Sequence, residues 1–546
     1  MKKRVIPILL TIVLLAALFS VCACTPAGST TTTQKGTTTT TAGTGTSQSS
    51  TTATPVYPTY PLDGTVTLKY ASAVSAHVTA VSTWPDTPFW QAWQDQTGVK
   101  LELQEVTDFS LLLASGDYPD IITSGAWGSY SGGIAKAIDD GIVMPITDYL
   151  DTLAVNYKER LMSNEEWMKG ATTPDGQFPG FYHLRSNDPG VSNSYGMIMR
   201  KDWLDDLGLS APVTADEFID TLTAFKNDKS AVSPFSIPIG ELRNMGNWGI
   251  LTSPYGLVST GYFHTDGKVH YGAFEASYKD YLIWLNKLFS DGLLDKNFLT
   301  LDTATKNSNI MNGISGATGG YAGGGIGVWM GTMKDKDPEY ELVGVGSLVA
   351  NAGDKALFSQ RQALVPGQLS VVTTSCKNPE IAVQFLNYGY TEPGDLLMQF
   401  GIEGKSFEMR DGKPYYTDLV LKNPDGLPFA QALSQYDFCP ENGPYIQGGE
   451  FCFQSYTDIQ NHALAVWRDS DILEHFIAPV TIDPKDAEEY STITSEIFTY
   501  INENFALFVT GEKSISEFDV YIDTLKSMKI ERMIELYQNA YDKYMG

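Results

Sequence analysis

Apolar residues between positions 65 and 123 change their spacing several times in a regular order. Alternating or continuous apolar runs typical of strands take turns with spacings typical of helices. In chain order, the strand, helix, strand, helix and strand patterns are Thr65–Tyr70, Phe89–Thr97, Val99–Val106, Phe109–Ala114 and Ile121–Thr123. Thr87 and Pro88 are typical first residues of a helix, and Gly98 is a typical stop. This order predicts an α/β fold.

The length of the chain predicts more than one hydrophobic core. A sequence of 546 residues exceeds the size at which a single core usually stops growing, so we expect two lobes. The chain also has 29 Tyr and 10 Trp, more aromatic surface than packing alone requires. This excess is a first indication that rings stack on a bound molecule.

The first 24 residues have the pattern of an export signal. Lys2, Lys3 and Arg4 precede an apolar run that ends in Val21-Cys22-Ala23-Cys24. The cysteine after a small residue resembles the lipobox of bacterial lipoproteins. That resemblance implies cleavage after residue 23, lipid on Cys24, and a protein held at the outer face of the cell membrane. The alternatives are a plain secretory signal or a single membrane span, but a span needs about 20 apolar residues.

Residues 24–62 are predicted to form a flexible tether. Thr25–Tyr60 consists mainly of Thr, Ser, Gly and then Pro, with few apolar side chains to bury. A tether of this length would hold the folded body at residues 63–546 away from the membrane.

The charge of the chain excludes several classes of ligand. The net charge is −27, and loss of the three basic residues near the N-terminus would make it more negative still. Such a surface repels nucleic acids and anionic membranes, which leaves the lipid as the only membrane contact. A neutral small molecule is the expected ligand.

The cysteines left after processing do not form a disulfide framework. Cys376, Cys439 and Cys452 remain in the folded part. Cys439 and Cys452 could pair across a Gly- and Pro-rich loop, but one thiol would be left over. We expect buried free thiols.

No motif for catalysis, a metal or a cofactor is present in the sequence. HExxH, GxSxG, P-loop and CxxC patterns are all missing. Asp335–Glu339 lacks the glycine and the distal glutamate of a calcium loop. A glycosidase would need two carboxylates about 5–10 Å apart, and no motif selects such a pair. We therefore expect no catalytic residues, no metal and no cofactor, with a glycan-degrading enzyme as the alternative from another class.

Several segments, taken in order, resemble the family 1 extracellular solute-binding proteins, which are the capture subunits of ABC importers. The matching segments span nearly the whole chain beyond the tether. The main ones are Trp93–Val106, Leu111–Thr123, Asp139–Asp151, Met197–Lys226, Trp284–Phe298, Phe400–Asp418 and Tyr500–Tyr544. Met197–Lys226 is similar to the long-chain lipoprotein branch used for oligosaccharide uptake.

The resemblance implies a two-lobed fold of the periplasmic-binding-protein-like type II class, with a ligand cleft between the lobes. Lobe 1 would hold about 63–190 and a return segment near 365–435. Lobe 2 would hold about 195–360 and the C-terminal helices. A monomer of this kind would capture a neutral oligosaccharide and deliver it to ABC permease subunits. A sensor-type binding protein is a further alternative.

Aromatic residues in loops are the candidate ligand contacts, because sugars have apolar C–H faces that pack on rings. Polar side chains near them would bind the hydroxyl groups. Each position is chosen because it follows a predicted strand or lies in a Gly-rich segment without helical spacing. The predicted ligand-binding residues are Trp127, Tyr130, Trp248, Tyr255, Trp329, Tyr445, Asn247 and Arg361.

Overall fold

The computed structural model describes residues 57–73, 78, 83–438 and 443–546. The predicted signal peptide, Cys24, most of the predicted tether and Cys439 lie outside these residues. Among the described thiols, Cys376 and Cys452 are free. No helix in the described ranges is long and apolar enough to cross a membrane.

Strands and helices alternate along the described chain. The strands β1 to β15, in order, are Thr67–Ser72, Lys100–Glu105, Ile121–Ser124, Val143–Met144, Phe181–Tyr182, Leu184–Arg185, Tyr195–Arg200, Tyr262–Thr265, Lys268–Tyr271, Ala317–Tyr321, Leu342–Val345, Leu369–Thr373, Phe407–Arg410, Lys413–Tyr416 and Ile446–Gln447. The α-helices α1 to α10 are Pro88–Thr97, Phe109–Ser115, Gly133–Asp139, Val155–Met162, Glu165–Gly170, Lys201–Asp206, Ala215–Asp228, Ile239–Asn247, Tyr278–Ser290 and Thr303–Met311. The α-helices α11 to α20 are Val328–Met333, Pro379–Asn387, Glu392–Phe400, Asp418–Leu421, Phe429–Leu433, Glu450–Ser455, Asp458–Arg468, Ala487–Thr510, Phe518–Ser527 and Ile530–Met545.

The predicted order at the start of the folded part is confirmed. β1, α1, β2, α2 and β3 follow one another as expected, with boundaries shifted by no more than a turn. Gly98 ends α1 in the left-handed conformation, with φ of 75°. A side chain there would be strained, which explains why the helix stops at a glycine.

The first lobe is built on a six-stranded mixed sheet. Its order is β2-β1-β3-β12-β4, and β5 also pairs with β12. β1 runs parallel to β2 and β3, whereas β12 is antiparallel to β3. β12 comes from far along the chain, so the sequence must leave this lobe and return to it. The core around the sheet accordingly combines residues from 68–184 with residues from 364–445.

The second lobe is built on a smaller antiparallel sheet, β10-β7-β11. Its main core combines residues from 195–348 with residues from 493–533. Thr214 caps α7, and Glu217 completes a capping box. The last helix, α20, packs through an apolar stripe in which Met533, Leu536 and Tyr541 are buried.

Residues just before the predicted domain start are packed rather than free. The Tyr60 hydroxyl donates to the carbonyl oxygen of Gln384 at 2.6 Å, and its ring lies 4.9 Å from that of Tyr388. The Leu62 amide bonds the Thr97 carbonyl oxygen at 2.7 Å. Ordered contacts thus begin before residue 63, because Tyr60 and Leu62 supply apolar surface that the low-complexity stretch before them lacks.

The glycine-rich segment Gly323–Gly327 after β10 is helical rather than an open loop. Ala322–Gly327 forms a π-helical turn that continues into α11. Glycine is a poor helix former, but contacts with a distant part of the chain stabilise the helical conformation here. Gln460 Nε2 donates to the Ala322 carbonyl oxygen at 2.9 Å. A Cβ at Gly327 would lie 2.6 Å from the same nitrogen, so a larger residue there would displace the Gln460 amide.

Candidate functional site

Three aromatic side chains form a continuous surface at one end of the second sheet, which we call the aromatic shelf: Tyr195, Trp248 and Tyr321. The ring centroids of Tyr195 and Trp248 are 5.0 Å apart, as are those of Tyr195 and Tyr321. Tyr195 is buried, Trp248 is half-buried, and Tyr321 is 48% exposed. The shelf therefore has a fixed inner ring and an open outer ring.

Strand pairing and a helix end place these three rings together. Tyr321 is the last residue of β10 and pairs with Tyr195, the first residue of β7. Trp248 directly follows α8, and its amide bonds the Asn244 carbonyl oxygen at 2.8 Å. Because all three positions end or begin a regular element, the backbone of the shelf is well held.

A buried ion pair supports the shelf from below. Lys306 Nζ lies 2.9 and 2.8 Å from the two carboxylate oxygens of Glu241 and donates to the Gly319 carbonyl oxygen at 3.1 Å. The Tyr195 hydroxyl donates to Glu241 at 2.8 Å. Burial, and then the Glu241 charge, raise the pKa of Tyr195 well above its usual value. Tyr195 thus stays a protonated donor and is held in one orientation.

Polar groups of the first lobe lie near the open end of the shelf. Others come from residues 360–362, in the segment that connects the second lobe back to the first, which we call the connecting segment. Burial and the Glu241 charge raise the pKa of Tyr321, and the positive charge of Arg185 opposes this shift. Arg185, at the end of β6, donates to the Gln362 side chain at 3.2 Å. Gln360 accepts a hydrogen bond from the Ser194 amide at 2.8 Å. The shelf therefore combines stacking surface with nearby amide and guanidinium groups where the chain passes between the lobes.

Of the predicted ligand residues, the structure brings Trp248 to the shelf. Trp127 lies just beyond β3 as expected, but it is 1% exposed and packs against Phe109 with centroids 4.9 Å apart. Trp329 is 1% exposed, and Tyr445 is buried with its ring stacked 4.9 Å from His183. Rings so deeply buried offer no open face to a ligand in this conformation.

The remaining predicted residues lie elsewhere. The Tyr130 hydroxyl donates to Asp140 at 2.7 Å. Tyr255 packs beside the rings of Tyr281 and Trp284 in the main core of the second lobe. Asn247, the last residue of α8, accepts a hydrogen bond from the Thr260 hydroxyl at 2.6 Å.

The Arg361 side chain is already bonded to other residues of the chain. Its guanidinium bonds both carboxylate oxygens of Glu166, at 3.3 and 2.9 Å, and lies 4.4 Å from the Phe476 ring centroid. The side chain is 8% exposed. This geometry links the connecting segment to α5 and leaves little of the group for a ligand.

Sequence reasoning missed Tyr195 and Tyr321. Both lie in segments with strand spacing, so they look like packing residues. One feature of the sequence could have identified Tyr321: it lies two residues before the glycine run Gly323–Gly327. The prediction chose Trp329, which lies two residues after that run. In the described ranges, no cluster of three or more His, Cys, Asp or Glu side chains could hold a metal ion.

Comparison with known proteins places this arrangement in a family. LipO, a lipoprotein of Bacillus subtilis strain 168, is 24% identical over 476 residues, which is 83% of this chain and 89% of LipO. The fructooligosaccharide ABC transporter substrate-binding protein FusA of Streptococcus pneumoniae serotype 4 is 23% identical over 520 residues, covering 89% and 92% of the two chains.

Solved structures have the same fold. The alginate-binding protein AlgQ2 without calcium ion superposes with a TM-score of 0.70 at 20% identity, and FusA in complex with kestose with 0.69 at 21% identity. Each comparison covers 88% of this chain and 99% of the other. The fold is thus the two-lobed periplasmic-binding-protein-like class that the resemblance implies. The model of the bacterial extracellular solute-binding protein family matches residues 78–395, more than half of the sequence, and the chain belongs to that family.

Proposed function

We propose that the protein captures a neutral oligosaccharide on the outside of the cell and delivers it unchanged to an ABC permease. The observation that carries this proposal is the aromatic shelf, with its half-buried Trp248 and exposed Tyr321 beside amide and guanidinium groups. Rings of this kind pack on the C–H faces of sugars, while the polar groups bind hydroxyls. The name of FusA, a fructooligosaccharide-binding protein, and its structure with kestose support the class of ligand.

Capture would work by closure of the two lobes around the ligand. The chain passes between the lobes near residues 185–195, near 360–365 and a third time between 445 and 493. At the first two places, backbone segments rather than packed helices connect the two cores. Hinge motions commonly use a few such residues. The ligand would bind mainly to the shelf in the open form, and polar groups such as Arg185 would complete its hydrogen bonds on closure.

Binding without turnover is the expected behaviour. Purified protein incubated with a panel of neutral oligosaccharides, including kestose, is expected to bind at least one of them with one ligand per chain. Chromatography of the recovered ligand should show the same oligosaccharide and no shorter product. Cleavage of a bound glycan would instead favour the glycan-degrading alternative, and failure of every neutral glycan to bind would contradict the proposal.

A lipid on Cys24 would keep the binding protein near its permease. Support comes from the lipobox-like sequence and from the name of LipO, a lipoprotein. Two or more acyl chains anchor a protein stably, because each buried CH₂ contributes about 0.8 kcal/mol.

Changing Cys24 to serine is expected to abolish attachment of the lipid. Expressed in a bacterial host, the unaltered chain should partition into the detergent phase of a Triton X-114 extraction and incorporate labelled palmitate. The C24S variant should incorporate no palmitate, whereas the matched C22S variant should behave like the unaltered chain. Equal palmitate incorporation in C24S and C22S would show that Cys24 is not the lipidated residue.

A further inference from the structure

A second concave site lies within the second lobe, separate from the aromatic shelf. It is a cavity of about 410 Å³ between α8, the segment around residues 260–262, α9 and α18. None of the three shelf residues lines it. Trp248 and Glu241 lie toward the shelf, whereas Arg243, Asn244 and Asn247 lie along the cavity, so α8 separates the two sites. The volume is within the usual range for a small-molecule pocket.

A guanidinium group without an acidic partner lines this cavity. Arg243 is half-buried and makes no ion pair or hydrogen bond with any described residue. This differs from Arg200 and Arg361, which each pair with a carboxylate. Partial burial lowers the pKa of Arg243, but a guanidinium remains charged in proteins. A half-buried positive charge in a chain rich in acids is thus left available to an anion.

A buried hydroxyl next to the cavity also has no partner. Tyr281 is 0% exposed, and its hydroxyl makes no hydrogen bond. Buried polar groups nearly always have a partner, so an orphaned one requires a physical reason. Gly246 permits the close approach of α8, because a Cβ there would lie 3.1 Å from the Tyr281 hydroxyl oxygen. Because less than 1 Å² of the hydroxyl is accessible, this donor lies just behind the cavity surface.

The other wall residues suit a hydroxylated molecule with apolar faces. Asn244 and Asn502 are exposed amides on opposite walls, from α8 and α18. Phe498 is 39% exposed, and its ring is stacked 6.0 Å from that of Tyr271. Amides suit hydroxyl groups, rings suit C–H faces, and the guanidinium suits a carboxylate.

We propose that this cavity is a second ligand site, which binds a small hydroxylated carboxylate such as a sugar acid. A single carboxylate matches the single guanidinium, since bidentate contact with a carboxylate is the geometry that arginine favours. The cavity wall contains no lysine, so a doubly charged phosphate would be poorly neutralised. The acidic surface of the chain also disfavours multiply charged anions.

Calorimetry with matched acids and neutral compounds tests the site. Glucuronate and gluconate are compared with glucose and sorbitol, titrated into the full chain. We expect at least one acid to bind tenfold or more tightly than its neutral counterpart. If neither acid binds, or if the neutral compounds bind equally well, the proposal is overturned.

Variants of the wall locate the bound acid. R243Q is expected to weaken acid binding at least tenfold, whereas R410Q, which removes the same charge from the β13–β14 hairpin of the other lobe, should leave it unchanged. N502A on the opposite wall should weaken it severalfold and provides a second test if R243Q does not fold. Unchanged acid binding in R243Q, or in N502A if R243Q cannot be made, would contradict the assignment.

The shelf variant distinguishes this site from the oligosaccharide site. W248A is expected to retain the acid affinity of the unaltered chain even if it loses oligosaccharide binding. Loss of acid binding in a folded W248A protein would place the acid on the shelf and overturn the proposal. Failure to bind any neutral oligosaccharide would count against the proposed transport function but not against the acid site.

Discussion

Replacing Trp248 by alanine is expected to weaken oligosaccharide binding about 10- to 100-fold. Burying one large apolar side chain against a partner contributes about 1.5–3 kcal/mol, and each 1.4 kcal/mol corresponds to a factor of ten in affinity. Trp248 has the largest ring of the aromatic shelf and is half-buried. Isothermal titration of the bound oligosaccharide against both proteins measures the loss.

Two control variants make this result specific. W248F keeps a ring and should lose less affinity than W248A. Y130A removes another aromatic residue predicted from sequence, one that lies in the first lobe and bonds Asp140, and it should bind almost normally. Because Trp248 also touches the second core, thermal unfolding must show that W248A is folded. A folded W248A with unchanged affinity would exclude the shelf as the binding surface.

Much of the fold could be predicted from the sequence because the signals were local. The spacing of apolar residues identifies β1 to β3 and α1 to α2, and the glycine at position 98 explains where α1 ends. Thr214 and Glu217 identify the start of α7 in the same way. The return of β12 into the first sheet has no such local signal. It depends on a pairing between residues more than 240 positions apart, which only the resemblance to a known family implied.

The site was less predictable because ring orientation is set by tertiary packing. Trp127 lies just beyond β3 and Trp329 follows the glycine run, as predicted, yet both rings are directed into the cores. For Trp329 the cause is the glycine-rich turn before it. Positions 320 and 325 approach the ring so closely that a Cβ would lie 2.9 and 3.4 Å from it. The glycines near Trp329 thus make room for a buried ring and do not form an open loop.

Replacing Lys306 by methionine is expected to destabilise the protein by about 3 kcal/mol. The side chain of Lys306 is 5% exposed and that of Glu241 is 22% exposed. Removing one partner of a buried ion pair costs about 3–5 kcal/mol, because the other charge is left without compensation. The lower end applies here, since Glu241 keeps some contact with solvent and the Tyr195 hydrogen bond. Urea unfolding should show a lower midpoint with an unchanged slope.

The double variant K306M/E241Q separates the cost of the stranded charge from the loss of packing. Glutamine can still accept the hydrogen bond of Tyr195, so this variant should recover most of the lost stability and keep the shelf in place. Lys201 and Asp205 form an exposed pair, and K201M should therefore cost less than about 1 kcal/mol. If K306M is no less stable than K201M, the Glu241 carboxylate does not need the charge of Lys306 to remain buried. The ion pair would then not be the interaction that fixes Tyr195 beside the rings of Trp248 and Tyr321.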